Sequence, residues 1–168
     1  KNVGDIMSTM NQNNQPKKKA VALLYDPNNQ APQVVAAGQG VLADKIIETD
    51  FYKNATQVLV FASTEDEFNT GFIVDHCRMD IKKVFYPICT DKSGSMQFKE
   101  ISSADDLEYG MYNILEPKSY CKNYNQKEND IIIVPCLSVD KKGYRIGYGK
   151  GYYDRFLKDF KGVSICPC

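Results

Sequence analysis

The sequence predicts an α/β fold in three layers, with a mostly parallel sheet and helices on both of its faces. Two apolar runs, residues 58–62 and 130–135, have the β-branched and aromatic character of strands that are buried on both faces. Segments with helical spacing alternate with such strands along the chain, which favours a parallel or mixed sheet. At 168 residues the chain is long enough for one domain with a sizeable core.

The composition argues against several classes of protein. Lys and Arg together number 21, as do Asp and Glu, so the net charge gives no reason to expect nucleic acid or an anionic membrane as partner. No apolar run approaches the roughly 18 residues of a membrane-spanning helix. The six cysteines and the single His76 lack paired spacing, which favours reduced, mostly buried thiols over a zinc site. We therefore expect a cytoplasmic monomer with a local functional site.

The N-terminal part of the chain is predicted to form a leader before the main domain. Residues 1–19 are rich in Asn, Gln and Lys, which is typical of a flexible segment. Strands are predicted at residues 20–25 and 31–37, so that the two would form a short β-hairpin. Helical spacing then begins at Val41 and continues beyond Ile47.

Part of this leader resembles a known family. Residues 19–27, 31–36 and 40–47 are similar, in order and spacing, to the start of the cytoplasmic domain of the flagellar type III export switch protein family. The resemblance implies an export-switch-like fragment at residues 20–48 and, as one alternative function, a component of a type III or flagellar export apparatus. The self-cleaving Asn-Pro-Thr-His of that family is absent, so cleavage is not implied.

The remaining elements follow from periodicity and turn residues. A polar loop with Glu67 follows the first apolar run, and residues 119–128 are interpreted as a polar insertion. The other predicted elements are a helix at residues 71–79, strands at residues 83–89, 96–101 and 131–134, and a helix at residues 152–157. The last residues, 166–168, are interpreted as a strand that is cut short.

A glycine-rich loop at residues 143–154 is the strongest candidate for a functional site. It reads Gly-Tyr-Arg-Ile-Gly-Tyr-Gly-Lys-Gly-Tyr-Tyr-Asp and lies between the strand at residues 131–134 and a predicted helix. Its glycines allow backbone N–H groups to approach an anion closely, and the helix dipole favours negative charge there. Arg145 and Lys150 add positive charge. Neither the Walker nor the dinucleotide spacing is present, so on spacing alone a plain glycine turn is an equal alternative.

The amino-acid sequence of this region resembles a second family more specifically. Residues 130–140 and 143–157 closely resemble the signature of the 5-formyltetrahydrofolate cyclo-ligase family, also called methenyltetrahydrofolate synthetases. Two further landmarks, residues 67–70 and 114–117, stand in the family's order. The resemblance covers about residues 49–168. It implies an α/β ligase that uses ATP and Mg²⁺ to convert 5-formyltetrahydrofolate into 5,10-methenyltetrahydrofolate, with release of ADP and phosphate.

The resemblance also implies a role for each matching residue. Arg145 and Lys150 are expected to be catalytic, and Asp154 is expected to be the magnesium ligand. The residues expected to bind ATP are Arg145, Ile146, Gly147, Tyr148, Gly149, Lys150, Gly151, Tyr152 and Tyr153. The residues expected to bind the folate are Glu67, Tyr112, Gly149, Lys150, Gly151 and Tyr152.

Two departures from the family pattern leave another function open. The basic helix with which the family opens is missing, and the chain ends at Cys168, before the last part of the family's domain. The sequence therefore also allows a nucleotide-binding fragment that does not catalyse ring closure.

Overall fold

A computed structural model describes residues 19–23, 32–139 and 144–167, which form an α/β fold. The strands are β1 (Lys19–Leu23), β2 (Gln57–Leu59), β3 (Lys83–Cys89), β4 (Met96–Ile101), β5 (Leu107–Tyr109), β6 (Leu115–Pro117), β7 (Ile131–Ile133), β8 (Ser138–Val139), β9 (Arg145–Ile146) and β10 (Val163–Pro167). The helices are α1 (Pro32–Ile47), α2 (Asp50–Asn54), α3 (Gly71–Met79) and α4 (Tyr152–Asp159).

Six strands form one sheet in the order β1-β10-β7-β2-β3-β4. Every neighbouring pair from β1 to β3 is parallel, and only β4 runs antiparallel, along the edge next to β3. The predicted mostly parallel sheet is therefore confirmed, and the strand predicted at residues 96–101 forms its edge. Two separate hairpins, β5-β6 and β8-β9, stand outside this sheet.

Helices cover both faces of the sheet. Alternate residues of a strand point to opposite faces, so Ile131 and Ile133 pack in one core cluster and Ile132 packs in the other. The first cluster includes side chains of α1 and α3, while Phe156 of α4 and Phe160 pack in the second. This arrangement confirms the three predicted layers.

The predicted N-terminal hairpin is wrong. Residues 32–37 belong to the helix α1. Strand β1 pairs in parallel with β10, which is near the C-terminal end of the sequence, and not with the segment that follows β1. Pro32 suits the first position of a helix, where the N–H that proline lacks has no partner in any case. Helix α1 ends at Ile47, and α2 begins separately after Thr49, whose hydroxyl accepts a hydrogen bond from the Tyr52 N–H at 3.2 Å. Residues 1–18 of the predicted leader lie outside the described residues.

The polar segment interpreted as an insertion packs along the edge strand β4. The Glu100 N–H donates to the carbonyl of Lys122 at 2.8 Å, and the Tyr124 N–H donates to that of Phe98 at 2.8 Å. The ring of Tyr124 meets that of Phe85 edge to face at 5.1 Å. Through these contacts the segment covers part of the second core cluster.

The cysteines only partly follow the prediction of reduced thiols. Cys77, Cys121 and Cys166 are free and buried, and Cys89 is free and half-buried. Cys136 departs from the prediction, because it is disulfide-bonded. Within the described ranges, no helix combines the length and the apolar character that crossing a membrane requires.

Two glycines provide a paired test of the packing. A Cβ atom at Gly162 would lie 2.0 Å from the carbonyl oxygen of Asp130, whereas one at Gly40, inside α1, would meet nothing within 4 Å. We expect Gly162→Ala to lower the free energy of unfolding by about 3 kcal/mol, because backbone must move to admit the methyl group. Gly40→Ala should raise it by about 0.5–1 kcal/mol, because alanine favours the helix. Urea denaturation of both variants measures the difference, and equal effects would contradict the packing described.

Candidate active site

A cavity of about 600 Å³ opens at the ends of the central strands. Phe61 and Ala62, just after β2, and Pro135, just after β7, form part of its wall, as does Cys89 at the end of β3. In parallel sheets, ligands bind outside these carboxyl ends. All of the predicted site residues except Ile146 line this cavity. The fold therefore brings together Glu67, Tyr112 and the glycine loop, which are far apart in the sequence.

The glycine loop begins as a short hairpin and ends at a helix. Strand β9 pairs with β8, and the N–H of Leu137 donates to the carbonyl of Ile146 at 2.8 Å. Ile146 is 62% exposed and lies outside the cavity wall. Gly149 and Gly151 have φ angles of 84° and 71°, in the left-handed region that other residues enter only with strain.

Arg155 holds the end of this loop against the neighbouring turn. Its Nε donates to the carbonyl of Gly94 at 2.9 Å, and its Nη2 donates to the carbonyl of Lys150 at 2.5 Å. A side chain at Gly94 would overlap the Arg155 guanidinium, because its Cβ would lie 1.4 Å from Nη2. The backbone that carries Lys150 is thus fixed to α4.

Arg145 and Asp154 form an ion pair in the cavity wall. Arg145 Nη2 donates to Asp154 Oδ1 at 2.6 Å, and Nη1 donates to the carbonyl of Pro135 at 3.4 Å. The guanidinium also lies 5.7 Å from the centre of the Tyr153 ring. The Arg145 side chain is only 12% exposed, whereas that of Asp154 is 72% exposed. Arg145 is therefore held in place from three sides, and Asp154 remains accessible to solutes.

Lys150 lies over an aromatic ring. Its ammonium is 3.4 Å from the centre of the Tyr112 ring, and no carboxylate of the described residues is within 4.0 Å of it. Cation–π attraction of this kind is weak at an exposed site. An anion that enters the cavity can therefore draw the ammonium towards itself at little cost.

Tyr112 is part of a chain of hydrogen bonds that crosses the cavity. The hydroxyls of Tyr112 and Tyr152 are 3.3 Å apart, and Tyr152 donates to the carbonyl of Asp91 at 2.9 Å. The hydrogen bond with Tyr152 lowers the pKa of Tyr112, with smaller contributions from Lys150, while the pKa of Tyr152 is raised. Tyr112 and Asn113 both have positive φ, 64° and 56°, a conformation that is uncommon for residues other than glycine and that recurs at turns and functional sites.

Glu67 lies in the loop after β2. Its Oε2 accepts hydrogen bonds from the N–H of Thr64 at 2.9 Å and from the Thr64 hydroxyl at 3.1 Å. Burial raises the pKa values of Tyr148 and Tyr153, and the negative charge of Glu67 raises both further. The glutamate thus lies close to Tyr148 and Tyr153 of the glycine loop.

Sequence reasoning did not assign a role to one acidic residue of the cavity wall. Glu116 is only 9% exposed, and its Oε1 accepts a hydrogen bond from the N–H of Cys89 at 3.2 Å. The signal in the sequence is an acid inside the short strand Leu115–Pro117, between two apolar residues. Such a residue can be recognised as buried only after the hairpin β5-β6 has been placed against β3.

These features define an α/β protein with a glycine-rich loop at the ends of its parallel strands. The sequence profile of the 5-formyltetrahydrofolate cyclo-ligase family matches residues 13–166. The chain therefore belongs to this family. The match runs through the segment that resembles the export switch family, and that resemblance is not supported. The same segment supplies β1 of the main sheet and part of the first core cluster.

Curated relatives agree with this assignment, and a solved structure shares the fold. A probable 5-formyltetrahydrofolate cyclo-ligase of Caenorhabditis elegans is 31% identical over 120 residues, which are 68% of this chain and 58% of the relative. One of Schizosaccharomyces pombe is 26% identical over 152 residues, 82% of this chain and 74% of the relative. The structure of a 5,10-methenyltetrahydrofolate synthetase from Aquifex aeolicus has the same fold, with a TM-score of 0.69 and 24% identity, over 82% of this chain and 69% of that protein.

The length of the match limits what the comparisons establish. The chain spans 58% of the Caenorhabditis elegans relative and 32% of a mitochondrial 5-formyltetrahydrofolate cyclo-ligase from Arabidopsis thaliana, which is 38% identical over 88 residues. Those 88 residues are 48% of this chain. Family and fold follow from the comparisons, and the activity of this chain is a proposal.

Proposed function

We propose that this protein catalyses the ATP- and Mg²⁺-dependent cyclisation of 5-formyltetrahydrofolate to 5,10-methenyltetrahydrofolate, with release of ADP and phosphate. The observation that supports this most directly is that the glycine loop, with Arg145 and Lys150, lines the same cavity as Glu67 and Tyr112. Membership of the cyclo-ligase family supports the same activity. A volume of about 600 Å³ is within the range of small-molecule sites.

The nucleotide would bind along the glycine loop. The left-handed backbone at Gly149 and Gly151 leaves N–H groups free to approach phosphate oxygens, and the start of α4 at Tyr152 adds a favourable dipole. Arg145 is already oriented by Asp154 and Pro135, so little side-chain entropy is lost when it contacts a phosphate. Lys150 supplies a mobile positive charge for the γ-phosphate.

The folate would occupy the part of the cavity between Glu67 and Tyr112. A carboxylate such as that of Glu67 can accept hydrogen bonds from neighbouring N–H groups of a pterin ring. The exposed ring of Tyr112 offers a surface for stacking. The formyl group would then face the loop at residues 149–152.

The reaction needs no nucleophile from the protein. The formyl oxygen attacks the γ-phosphorus of ATP, and the bond between the γ-phosphorus and the bridging oxygen breaks to release ADP. The folate N10 then attacks the formyl carbon, and the phosphate leaves with the former formyl oxygen and the proton of N10. The product is a cation that is shared between N5 and N10, and the atoms and charges balance without an external base. Catalysis therefore depends on alignment of the two substrates and on neutralisation of phosphate charge by Arg145 and Lys150.

The residues at the loop fit a magnesium ion that is carried by the nucleotide. The described part of the chain has no cluster of three or more His, Cys, Asp or Glu that could hold a metal by itself. Mg²⁺ commonly binds one or two carboxylates together with substrate phosphates and water, and Asp154 is an accessible carboxylate beside Arg145. When bound, the ion neutralises part of the phosphate charge.

Formation of the methenyl product, measured by its absorbance, tests the proposal. We expect absorbance to rise when the purified chain is mixed with 5-formyltetrahydrofolate, ATP and Mg²⁺, and not when either ATP or Mg²⁺ is omitted. A chain that binds Mg²⁺-ATP but never closes the ring would instead be a nucleotide-binding module. Absence of both binding and ring closure would contradict the assignment of the loop.

A further inference from the structure

Glu116 is a buried carboxylate in the wall of the proposed active site. It lies on β6, which packs next to β3, and its residue is 9% exposed. Its Oε1 is held by the N–H of Cys89, the last residue of β3, at 3.2 Å. Both Glu116 and Cys89 line the cavity. The carboxylate is therefore fixed in position and close to any bound substrate.

No cation of the described residues compensates the charge of Glu116. No Lys, Arg or His nitrogen in these ranges lies within 4.0 Å of its carboxyl oxygens. The residue directly opposite on β5 is Glu108, another acid. Burial of a carboxylate without a cation is costly. Such a cost is typical of functional sites, where the missing partner is a group of the substrate.

Gly110 provides the space that this carboxylate needs. A Cβ atom at position 110 would lie 2.1 Å from Glu116 Oε2, so any other residue would overlap the carboxyl group. The N–H of Gly110 donates to the carbonyl of Ile114 at 2.9 Å and thereby closes the turn between β5 and β6. The hairpin is thus built around a buried acid.

Glu116 is on the same side of the cavity as the reacting groups of the loop. Burial is the main reason why the pKa of the neighbouring Cys89 thiol is raised to about 11, and the charge of Glu116 contributes, while Tyr152 and Lys150 act in the opposite direction. Cys89 is therefore neutral near pH 7. The charges on this side of the cavity are those of Glu116 and, over the Tyr112 ring, of Lys150.

We propose that Glu116 stabilises the positive charge that develops on the folate during its conversion to the methenyl product. This inference rests on the proposed function, in which N5 and the formyl group are neutral in the substrate. When N10 attacks the formyl carbon and phosphate departs with the formyl oxygen and the N10 proton, a positive charge remains across N5, the bridging carbon and N10. A buried, fixed negative charge stabilises such a developing cation more strongly than water does, because it needs no reorientation as the charge develops. Glu116 thus stabilises the transition state and the product, whereas Glu67 binds the substrate.

Comparison of two ligands tests this role directly. 5-Formyltetrahydrofolate and 5,10-methenyltetrahydrofolate have the same glutamate tail and differ by one positive charge at the reacting centre. We expect Glu116→Gln to weaken binding of the methenyl cation by at least about 10-fold, and to change binding of the formyl compound and of a non-hydrolysable ATP analogue by less than about 3-fold. The kcat for ring closure should fall by about 10- to 100-fold.

Glu108→Gln is the matched control, because it removes an acid from the same hairpin at an exposed position. It should alter none of these quantities. Glutamine at position 116 keeps an oxygen that can accept from the Cys89 N–H, so a purely structural role would survive the change. Glu116→Asp keeps the charge and should retain a preference for the cation even if its rate falls.

The following outcomes decide whether Glu116 stabilises the cation. Equal loss of affinity for both folates in Glu116→Gln, or no loss for either, would overturn the inference. If Glu116→Gln fails to fold, loss of the cation preference in Glu116→Asp would overturn it, and retention would support it. If the wild-type chain does not close the ring, the proposed function is wrong, and the affinities of wild type and Glu116→Gln for the two folates still decide the role of Glu116.

Discussion

Lys150→Ala is expected to lower kcat/KM for ring closure by at least about 10³-fold, the largest effect of any single change at the site. The ammonium has no acidic partner among the residues described and lies over the Tyr112 ring, so its charge is available to a phosphate group. Its backbone is held by Arg155 and does not depend on the lysine side chain. The substitution therefore removes the positive charge that would stabilise the transition state, together with the weak cation–π contact with Tyr112.

Steady-state rates at varied ATP and folate concentrations measure this effect. Lys158→Ala is the matched control, because Lys158 lies in the last turn of α4, the helix that follows the loop, is exposed, and is not part of the cavity wall. It should retain the wild-type rate. If Lys150→Ala keeps a rate within about 3-fold of wild type, phosphoryl transfer does not depend on this loop.

The parts of the site that are local in sequence could be predicted without a structure. Residues 145–154 are consecutive and run from β9 into the first turn of α4, so their glycines and charges lie close together. Glu67 and Tyr112 could be added only through the resemblance to the cyclo-ligase family, because nothing local in the sequence connects them with the glycine loop. The pairing of Arg145 with Asp154 at 2.6 Å was not predicted, although both residues were selected, because a hydrogen bond between side chains depends on the turn that the loop adopts.

The parts that depend on distant contacts could not be predicted. Residues 31–37 contain β-branched valines that favour a strand, but Pro32 can begin a helix and tertiary packing decides between the two. Strand β1 finds its partner in β10, at the other end of the chain, so local turn chemistry carries no information about that pairing. The burial of Glu116 could not be predicted for the same reason, because it results from the placement of the hairpin β5-β6 beside β3.

Asp154→Asn is expected to make ring closure depend on higher concentrations of Mg²⁺. Asp154 is the accessible carboxylate of the glycine loop, and it is in direct contact with Arg145, the proposed phosphate ligand. Loss of its charge should raise the Mg²⁺ concentration for half-maximal rate by at least about 10-fold and lower kcat/KM for ATP by about 100-fold. Initial rates over a titration of Mg²⁺ at fixed ATP and folate measure both changes.

The shape of the Mg²⁺ titration separates a metal ligand from a residue that only orients Arg145. Asparagine retains an oxygen that can accept the Arg145 hydrogen bond, so an orienting role predicts a rate near that of wild type and an unchanged Mg²⁺ requirement. A metal ligand predicts that excess Mg²⁺ restores part of the rate. Asp159→Asn, at the other end of α4, serves as the charge-matched control and should leave the titration unchanged. Full activity of Asp154→Asn at low Mg²⁺ would show that Mg²⁺ is held without this carboxylate.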